Sequence, residues 1–273
     1  MFNTTIVTYH NPIDILLKAI NSVINAVDLN KIYIVDNSNN NFIEKNLPIS
    51  QKLVYIKSPR NGGFGYGHNI GLKMSLNDSN IKYHLVLNPD VYFESEGLVK
   101  IINFMDMNSD VGNLMPKVCY PDGSIQFLCK LLPTPYDWIG RRFNPFKKIV
   151  EKRNQKFELR FTNYDKVMEV PYLSGCFMFL RLEAIRNIGF FDEGIFMYGE
   201  ETDLCRRLIA NNYKTIFFPD IKIFHEFEKG SHKSLRLTWI GIKSAIYYFN
   251  KWGWFIDLQR HKINKITLRK LGY

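Results

Sequence analysis

Five carboxylates fall within twelve residues, Asp192, Glu193, Glu200, Glu201 and Asp203, beside Phe190, Phe191 and Gly199. Carboxylates this close shift one another's pKa, which suits one of them to accept a proton from a substrate hydroxyl. Acids at a helix start are also an ordinary solvated first turn, favoured by the macrodipole. In such a helix Glu200 and Glu201 point in different directions, and Asp203 lies a turn or less away.

A second group suits a metal. Asp90, in Asn88-Pro89-Asp90-Val91, follows an apolar run and projects from the end of an expected strand. Mg²⁺ or Mn²⁺ takes oxygen ligands and commonly needs only one or two carboxylates, with substrate phosphate oxygens completing the shell. The same tripeptide is an ordinary turn sequence. His225 ends the run Ile221 to Phe224. A histidine there is either a structural strand end or a further ligand to a metal on Asp90.

The segment from Arg60 to Gly71 carries Gly62, Gly63, Gly65 and Gly67. It does not make a dinucleotide fingerprint, because GxGxxG counted from Gly63 ends on His68 and from Gly65 on Ile70. Its glycines either let a diphosphate approach the backbone ahead of a helix N-terminus or serve the geometry of the turn alone.

These residues need a scaffold, and the first third of the chain supplies one. Strands are expected at Thr4 to Thr8, Lys31 to Val35, Leu53 to Lys57 and Tyr83 to Leu87. Helices fall between them, one after Asn11-Pro12 and one near Tyr66 to Ser75. That alternation is the α/β pattern of βαβ units on a mostly parallel sheet. Tyr9-His10, Asp36, Asn61-Gly62-Gly63 and Asp90 then sit at strand C-termini, where open sheets bind ligands, and are expected to share one cleft. Residues 120–170, with Pro121, Pro133, Pro135 and Pro145, read as a long loop or flap. Val170 to Leu180 reads as one apolar strand, about Glu201 to Ala210 as a helix, Thr215 to Phe218 as a strand, and everything beyond Ser231 as helical.

With 273 residues and 46% hydrophobic content, the chain can bury a sizeable core and is not disordered. Cys119, Cys129, Cys176 and Cys205 show no paired spacing, so free thiols in a reducing compartment are expected rather than disulfides or zinc. The start, MFNTTIVTYHNP, reads as a first strand and not as an export signal, and no apolar run is long enough to span a bilayer. The net charge of +10 is concentrated. From Lys229 to Tyr273 ten Lys or Arg face one acid, Asp257, and Arg141 to Arg160 holds eight against Glu151 and Glu158. Such surfaces suit nucleic acid, anionic lipid or a phosphorylated substrate. No nucleic-acid-binding motif accompanies the charge, so nucleic acid is not an expected partner.

Taken in order, Val7-Thr8-Tyr9, Asp36-Asn37-Ser38, Asn61-Gly62-Gly63-Phe64-Gly65, Asn88-Pro89-Asp90, Ser174-Gly175-Cys176-Phe177-Met178, Phe191-Asp192-Glu193, Glu200-Glu201-Thr202-Asp203-Leu204 and His225 resemble family 2 glycosyltransferases. Within that family they are most similar to the bacterial rhamnosyltransferases of O-antigen, capsule and cell-wall linker synthesis, over roughly residues 3–235. The resemblance implies a GT-A fold, a Rossmann-like nucleotide-binding mixed sheet flanked by helices, with a C-terminal helical extension. It implies a catalytic domain at 1–230, divided into a nucleotide-binding half at 1–115 and an acceptor-binding half at 116–230, with the extension at 231–273. Thr8 and Tyr9 would line the nucleotide pocket, Asp36 would bond the pyrimidine ring, and Asn61, Gly63 and Asn88 would lie near the nucleotide or diphosphate. Asp90 and His225 would hold Mg²⁺ or Mn²⁺. The family's basic aspartate falls on Glu201, one methylene longer, so Glu201 is the expected base, with Glu200 or Asp203 as its neighbours in the role.

The implied reaction is a single inverting displacement from dTDP-rhamnose, or from a UDP-hexose, UDP-GlcNAc or UDP-galactofuranose, onto a glycan acceptor linked to a polyprenyl diphosphate. A nucleotidyltransferase would share a metal site at a sheet end, but it usually carries a glycine-rich basic loop after its first strand, absent from Val7 to Pro12. Trp239, Ile242, Ile246, Phe249, Trp252, Trp254 and Phe255 among C-terminal lysines and arginines suit an anionic membrane surface or a helical cap on the core. A cytoplasmic location, peripheral on the inner face of the cytoplasmic membrane, is expected.

Overall fold

A computed structural model describes residues 1–226 and 234–273. The expected boundary at 230/231 lies outside the described residues.

Strands β1 (Phe2–Thr8), β2 (Leu29–Asp36), β3 (Leu53–Lys57) and β4 (Tyr83–Leu87) form a parallel half-sheet in the order β3-β2-β1-β4. Helices α1 (Ile13–Ile24), α2 (Phe42–Asn46) and α3 (Gly63–Leu76) connect them. Pro12 stands at the N-cap position of α1 and makes no side-chain cap. Beyond β4 come β5 (Val91–Tyr92), helix α4 (Gly97–Met107) and β6 (Val111–Cys119). The short β7 (Cys129–Lys130) and β9 (Tyr172–Leu173) pair separately from the main sheet, while β8 (Met168–Glu169) pairs with β11. The sheet continues through β10 (Phe177–Arg181), β6 and β11 (Lys214–His225) to β5. Because β10 runs antiparallel to β4 and β6, the nine-stranded sheet is mixed.

Helix α3 approaches the sheet closely because its inner face is glycine. A Cβ on Gly67 would press on Val7, and one on Gly71 would overlap the Thr5 hydroxyl. A buried relay seals this contact, with His84 between Thr5 Oγ1 at 2.9 Å and Ser75 Oγ at 2.7 Å. Burial pushes the imidazole pKa down to about 3, so the relay runs through a neutral ring. Gly67 and Gly71 therefore serve packing.

Residues 120–170 depart from the loop expectation. They form a π-helical turn at Tyr136–Gly140, helix α5 (Lys147–Phe157) and a 3₁₀ turn at Arg160–Thr162. Helix α5 has only Phe157 buried, so it lacks the apolar stripe that marks a helix in sequence. The single strand expected at 170–180 is broken at Ser174-Gly175-Cys176 between β9 and β10, and β11 is much longer than Thr215 to Phe218. Helix α6 (Leu182–Ile188) is followed by α7 (Glu200–Ala210), α8 (Leu235–Trp252) and α9 (Leu258–Lys270). All four cysteines are buried and free.

The last two helices are docked against the rest of the fold. Tyr248 and Phe249 are fully buried, packing on Trp138. Two members of the C-terminal aromatic series, Phe249 and Trp252, thus face protein, while Trp239 and Phe255 remain exposed. Among the described residues no helix is long and apolar enough to cross a membrane.

Candidate active site

The parallel half-sheet aligns its C-terminal ends. Thr8, Asp36 and Lys57 stand in register across β1, β2 and β3. The carboxylate of Asp36 is buried and accepts the Ser38 N–H at 2.9 Å, the Tyr55 hydroxyl at 2.9 Å and Lys57 Nζ at 3.3 Å. Beside it, Asn11 Oδ1 accepts from Thr8 Oγ1 and the Tyr9 N–H, and Ser38 Oγ accepts the His10 N–H. Asn37 Nδ2 donates to the Gly63 carbonyl, joining the β2 end to the start of α3. Gly63 has φ +89°, and a Cβ there would overlap the Phe196 carbonyl, so the position requires glycine. Asn61 Oδ1 accepts the Gly63 N–H. Thr8, Tyr9, Asp36, Asn61 and Gly63 therefore gather at one sheet edge.

Asn88 and Asp90 follow β4 on the same edge. Antiparallel pairing of Val91 with His225, and a Glu226 N–H to Asp90 carbonyl bond of 2.9 Å, bring the ends of β5 and β11 together. As a result Asp90 Oδ1 lies 3.4 Å from His225 Nε2. That carboxylate oxygen is buried and has no hydrogen-bond partner. Behind the imidazole, Gln126 Oε1 is 3.0 Å from Nδ1. Among the described residues no group of three His, Cys, Asp or Glu side chains is placed to hold a metal ion.

The acids of α7 separate. Glu201 lines a cavity of about 220 Å³ with Lys130, Trp138, Arg141, Tyr172 and Tyr198. Its Oε1 accepts the Tyr172 hydroxyl at 3.0 Å and its Oε2 the Gly199 N–H at 2.9 Å. Burial, with the Glu201 charge beside it, raises the Tyr172 pKa well above the usual phenol value, so the hydroxyl stays a donor. Burial lowers the pKa of Lys130 at the same cavity.

Glu200 turns the other way, towards Gly65, and is buried with Oε2 unpartnered. Burial, then the charge of Glu201, raises its pKa well above the carboxylate range. Asp203 is fully buried and points away from the cavity. It accepts Trp252 Nε1 at 2.8 Å and Arg207 Nε at 2.8 Å, and pairs with Lys251 at 2.8 Å. Asp192 also pairs with Lys251, at 2.7 Å.

Asp90 and His225 do not line the Glu201 cavity. The break between β9 and β10 connects the two places. The Cys176 carbonyl accepts the Asn88 N–H at 2.9 Å, and the Cβ position of Gly175 is 3.5 Å from Glu201 Cβ. Gln126, Lys130, Tyr172 and Tyr55 carry no motif of their own and were not anticipated from sequence.

A family model described as Glycosyl transferase family 2 matches residues 4–189, and one described as Glycosyl transferase family group 2 matches 153–269. The chain is 23% identical over 231 residues to the rhamnosyltransferase WbbL of Escherichia coli K12, covering 81% of each chain. It is 25% identical over 158 residues to the low-salt glycan biosynthesis hexosyltransferase Agl10 of Haloferax volcanii, covering 58% of this chain and 47% of that one. It is also 25% identical over 146 residues to an N-acetylglucosaminyl-diphospho-decaprenol L-rhamnosyltransferase of Mycobacterium tuberculosis, covering 52% of this chain and 46% of that one. The chain thus spans about half the length of the latter two. Among solved structures, GalNAc-T7 with UDP, GalNAc and Mn²⁺ superposes with a TM-score of 0.59 at 14% identity, over 82% of this chain and 42% of that one. TarS of S. aureus superposes at 0.51 with 15% identity, over 83% and 36%.

Proposed function

The chain belongs to glycosyl transferase family 2, and from that premise we propose that it moves L-rhamnose from dTDP-rhamnose, with inversion, onto a glycan acceptor linked to a polyprenyl diphosphate. Its fold is the GT-A fold with C-terminal helices. The observation that carries the reading is the approach of Asp90 to His225 at the nucleotide edge of the sheet, with Glu201 on the far side of residues 174–176.

On the donor side, Thr8, Tyr9, Asp36, Asn61, Gly63 and Asn88 hold the nucleotide. A carboxylate has about four lone-pair sites, so Asp36 keeps capacity for a ring N–H beyond its bonds to Ser38, Tyr55 and Lys57. That imide N–H is common to thymine and uracil, which keeps UDP-hexose, UDP-GlcNAc and UDP-galactofuranose as a second reading of the donor.

Asp90 and His225 fit a hard divalent cation. A buried carboxylate oxygen without a hydrogen bond faces an imidazole nitrogen, and two protein ligands suffice where phosphate oxygens complete the shell. Mg²⁺ or Mn²⁺ bound there would neutralise charge on the departing diphosphate; GalNAc-T7, of like fold, was solved with UDP and Mn²⁺.

On the acceptor side, Glu201 takes the proton of the attacking hydroxyl, held in orientation by Tyr172 and the Gly199 N–H. A base so placed contributes about 10²–10⁴-fold. Burial and the Glu201 charge favour the protonated form of Glu200, and Asp203 is committed to Arg207 and the C-terminal helices, which leaves Glu201 as the base. We assign 1–115 to nucleotide binding, 116–230 to acceptor binding and 231–273 to a docked extension. Exposed Trp239, Phe255, Ile256 and Leu258 near lysines and arginines support peripheral attachment to the cytoplasmic face of a membrane.

A thermal-shift panel of dTDP-, UDP- and GDP-sugars with and without Mn²⁺ tests the donor assignment. dTDP-rhamnose with Mn²⁺ is expected to stabilise most. Stabilisation by GDP-sugars alone, or by none of the panel, would overturn it.

A further inference from the structure

Gln126 sits where the turn Pro121-Asp122-Gly123-Ser124 folds the chain back on the end of β6. Asp122 Oδ1 accepts from the Ser124 N–H and hydroxyl, Gly123 takes φ +86°, and the Gln126 N–H bonds the Val118 carbonyl at 2.9 Å. Since β6 pairs with β11 through Phe224 and Cys119, this turn delivers the Gln126 side chain to His225. Both residues are buried.

The amide of Gln126 has one orientation that satisfies its surroundings. Its Nε2 faces two acceptors, the His225 carbonyl at 2.9 Å and the Cys119 carbonyl at 3.4 Å. Carbonyl oxygens cannot donate, so the amide nitrogen must occupy that side and Oε1 must face His225 Nδ1 at 3.0 Å. An oxygen acceptor there requires the proton on Nδ1. The neutral ring then carries its lone pair on Nε2, the nitrogen 3.4 Å from Asp90 Oδ1.

We infer that Gln126 is a positioning residue, which fixes the Nδ1–H tautomer of His225 and so makes Nε2 a ligand nitrogen directed at the cation site. The inference deepens the proposed function and rests on its reading of Asp90 and His225 as the cation pair. Partners of this kind orient a ligating imidazole and raise its basicity, and their loss typically costs about 10–100-fold in metal affinity.

The test has two arms that fail separately. In ¹⁵N NMR of the metal-free wild type in mildly alkaline buffer, the His225 proton is expected on Nδ1. A proton on Nε2 would overturn the inference without needing any variant. Mn²⁺ binding is then followed by EPR in the wild type, Gln126→Leu, Gln126→Glu and His225→Ala. Gln126→Leu is expected to lose the single tautomer and to bind Mn²⁺ about 10–100-fold more weakly. Gln126→Glu keeps an acceptor for Nδ1–H but loses the donor to the His225 and Cys119 carbonyls, and is expected to keep the tautomer and recover part of the affinity that Gln126→Leu loses. Wild-type affinity in Gln126→Leu alongside loss in His225→Ala sinks the role of Gln126 and spares the cation site. Unchanged affinity in His225→Ala sinks the cation reading itself, whatever the tautomer.

Discussion

Asp257→Ala measures how firmly the C-terminal helices hold the helix that bears Glu201. Arg206 lies on α7, and its side chain is 1% exposed against 3% for Asp257. The two meet as a fork, Nη1 to Oδ2 at 2.7 Å and Nη2 to Oδ1 at 2.6 Å. The other partners of the guanidinium are neutral: Gln259 Oε1 at 3.1 Å, the Tyr248 hydroxyl at 3.4 Å and the face of Trp252 at 4.2 Å. Removing the carboxylate leaves a buried cation without a counter-charge, which costs about 3–5 kcal/mol, where an exposed pair would cost about 0–1 kcal/mol. In a chain of this size that corresponds to a fall in Tm of about 6–20 °C. Arg206→Met combined with Asp257→Asn removes the Arg206 charge together with its partner while keeping an oxygen to cap α9 at the Arg260 N–H, and is expected to recover part of the loss, the Arg260 guanidinium 3.8 Å from the carboxylate keeping the rest. Equilibrium denaturation of the wild type, the single variant and the double variant reads all three. A loss below about 1 kcal/mol in Asp257→Ala would refute the argument, because the pair would then behave as one in open water.

Three further outcomes follow from the same contacts. Truncation after Phe249 would remove Trp252 and Asp257 with the tail, so membrane attachment is better read with Phe255→Ser plus Ile256→Ser. Both side chains are exposed, so partition onto anionic vesicles should fall while stability moves by no more than about 0.5 kcal/mol; unchanged partition would count against the membrane reading. Glu201→Gln should lower turnover by about 10²–10⁴-fold with donor binding intact, and undiminished turnover would move the base elsewhere. Glu200 has a native pKa raised by burial and by Glu201, so its contribution is complete below the unfolded carboxylate pKa and is lost as pH rises towards the native value. Glu200→Gln cancels that loss and should gain on the wild type in denaturation midpoint from mildly acidic to alkaline pH; a constant difference across that range would contradict the assignment.

Much of the scaffold was readable because the parallel strands are short apolar runs bounded by polar turns. Leu53–Lys57 and Tyr83–Leu87 fall where the pattern puts them. Helix α5 was hidden for the opposite reason, since a run of Lys, Arg, Asn and Gln with one buried Phe157 has no periodicity to detect. The apolar run 170–180 conceals a break because its one turn-forming pair, Ser174-Gly175, stands between Leu173 and Cys176 in an otherwise apolar stretch. Pro219 suggests an end to β11, yet the strand passes it with a register shift between Phe218 and Lys222. At the site, Asp90 and His225 could be named from residue type, but the pairing of β5 with β11 that joins them depends on contacts far apart in sequence. Asp203 looked equivalent to its neighbours until Trp252, 49 residues later, appeared against it. Gln126 gave no signal at all, because a glutamine in a turn becomes informative only when both faces of its amide have partners.

The cation site at Asp90 and His225 is tested most directly by the Mn²⁺-dependent release of dTDP from dTDP-rhamnose by the wild type and by Asp90→Asn, with a polyprenyl-diphosphate-linked acceptor present. Release by the wild type that stops on chelation, and that Asp90→Asn loses while remaining folded, is the predicted result. Equal release by Asp90→Asn, or by the wild type with the metal chelated, would contradict the claim that Asp90 and His225 organise the donor through a cation.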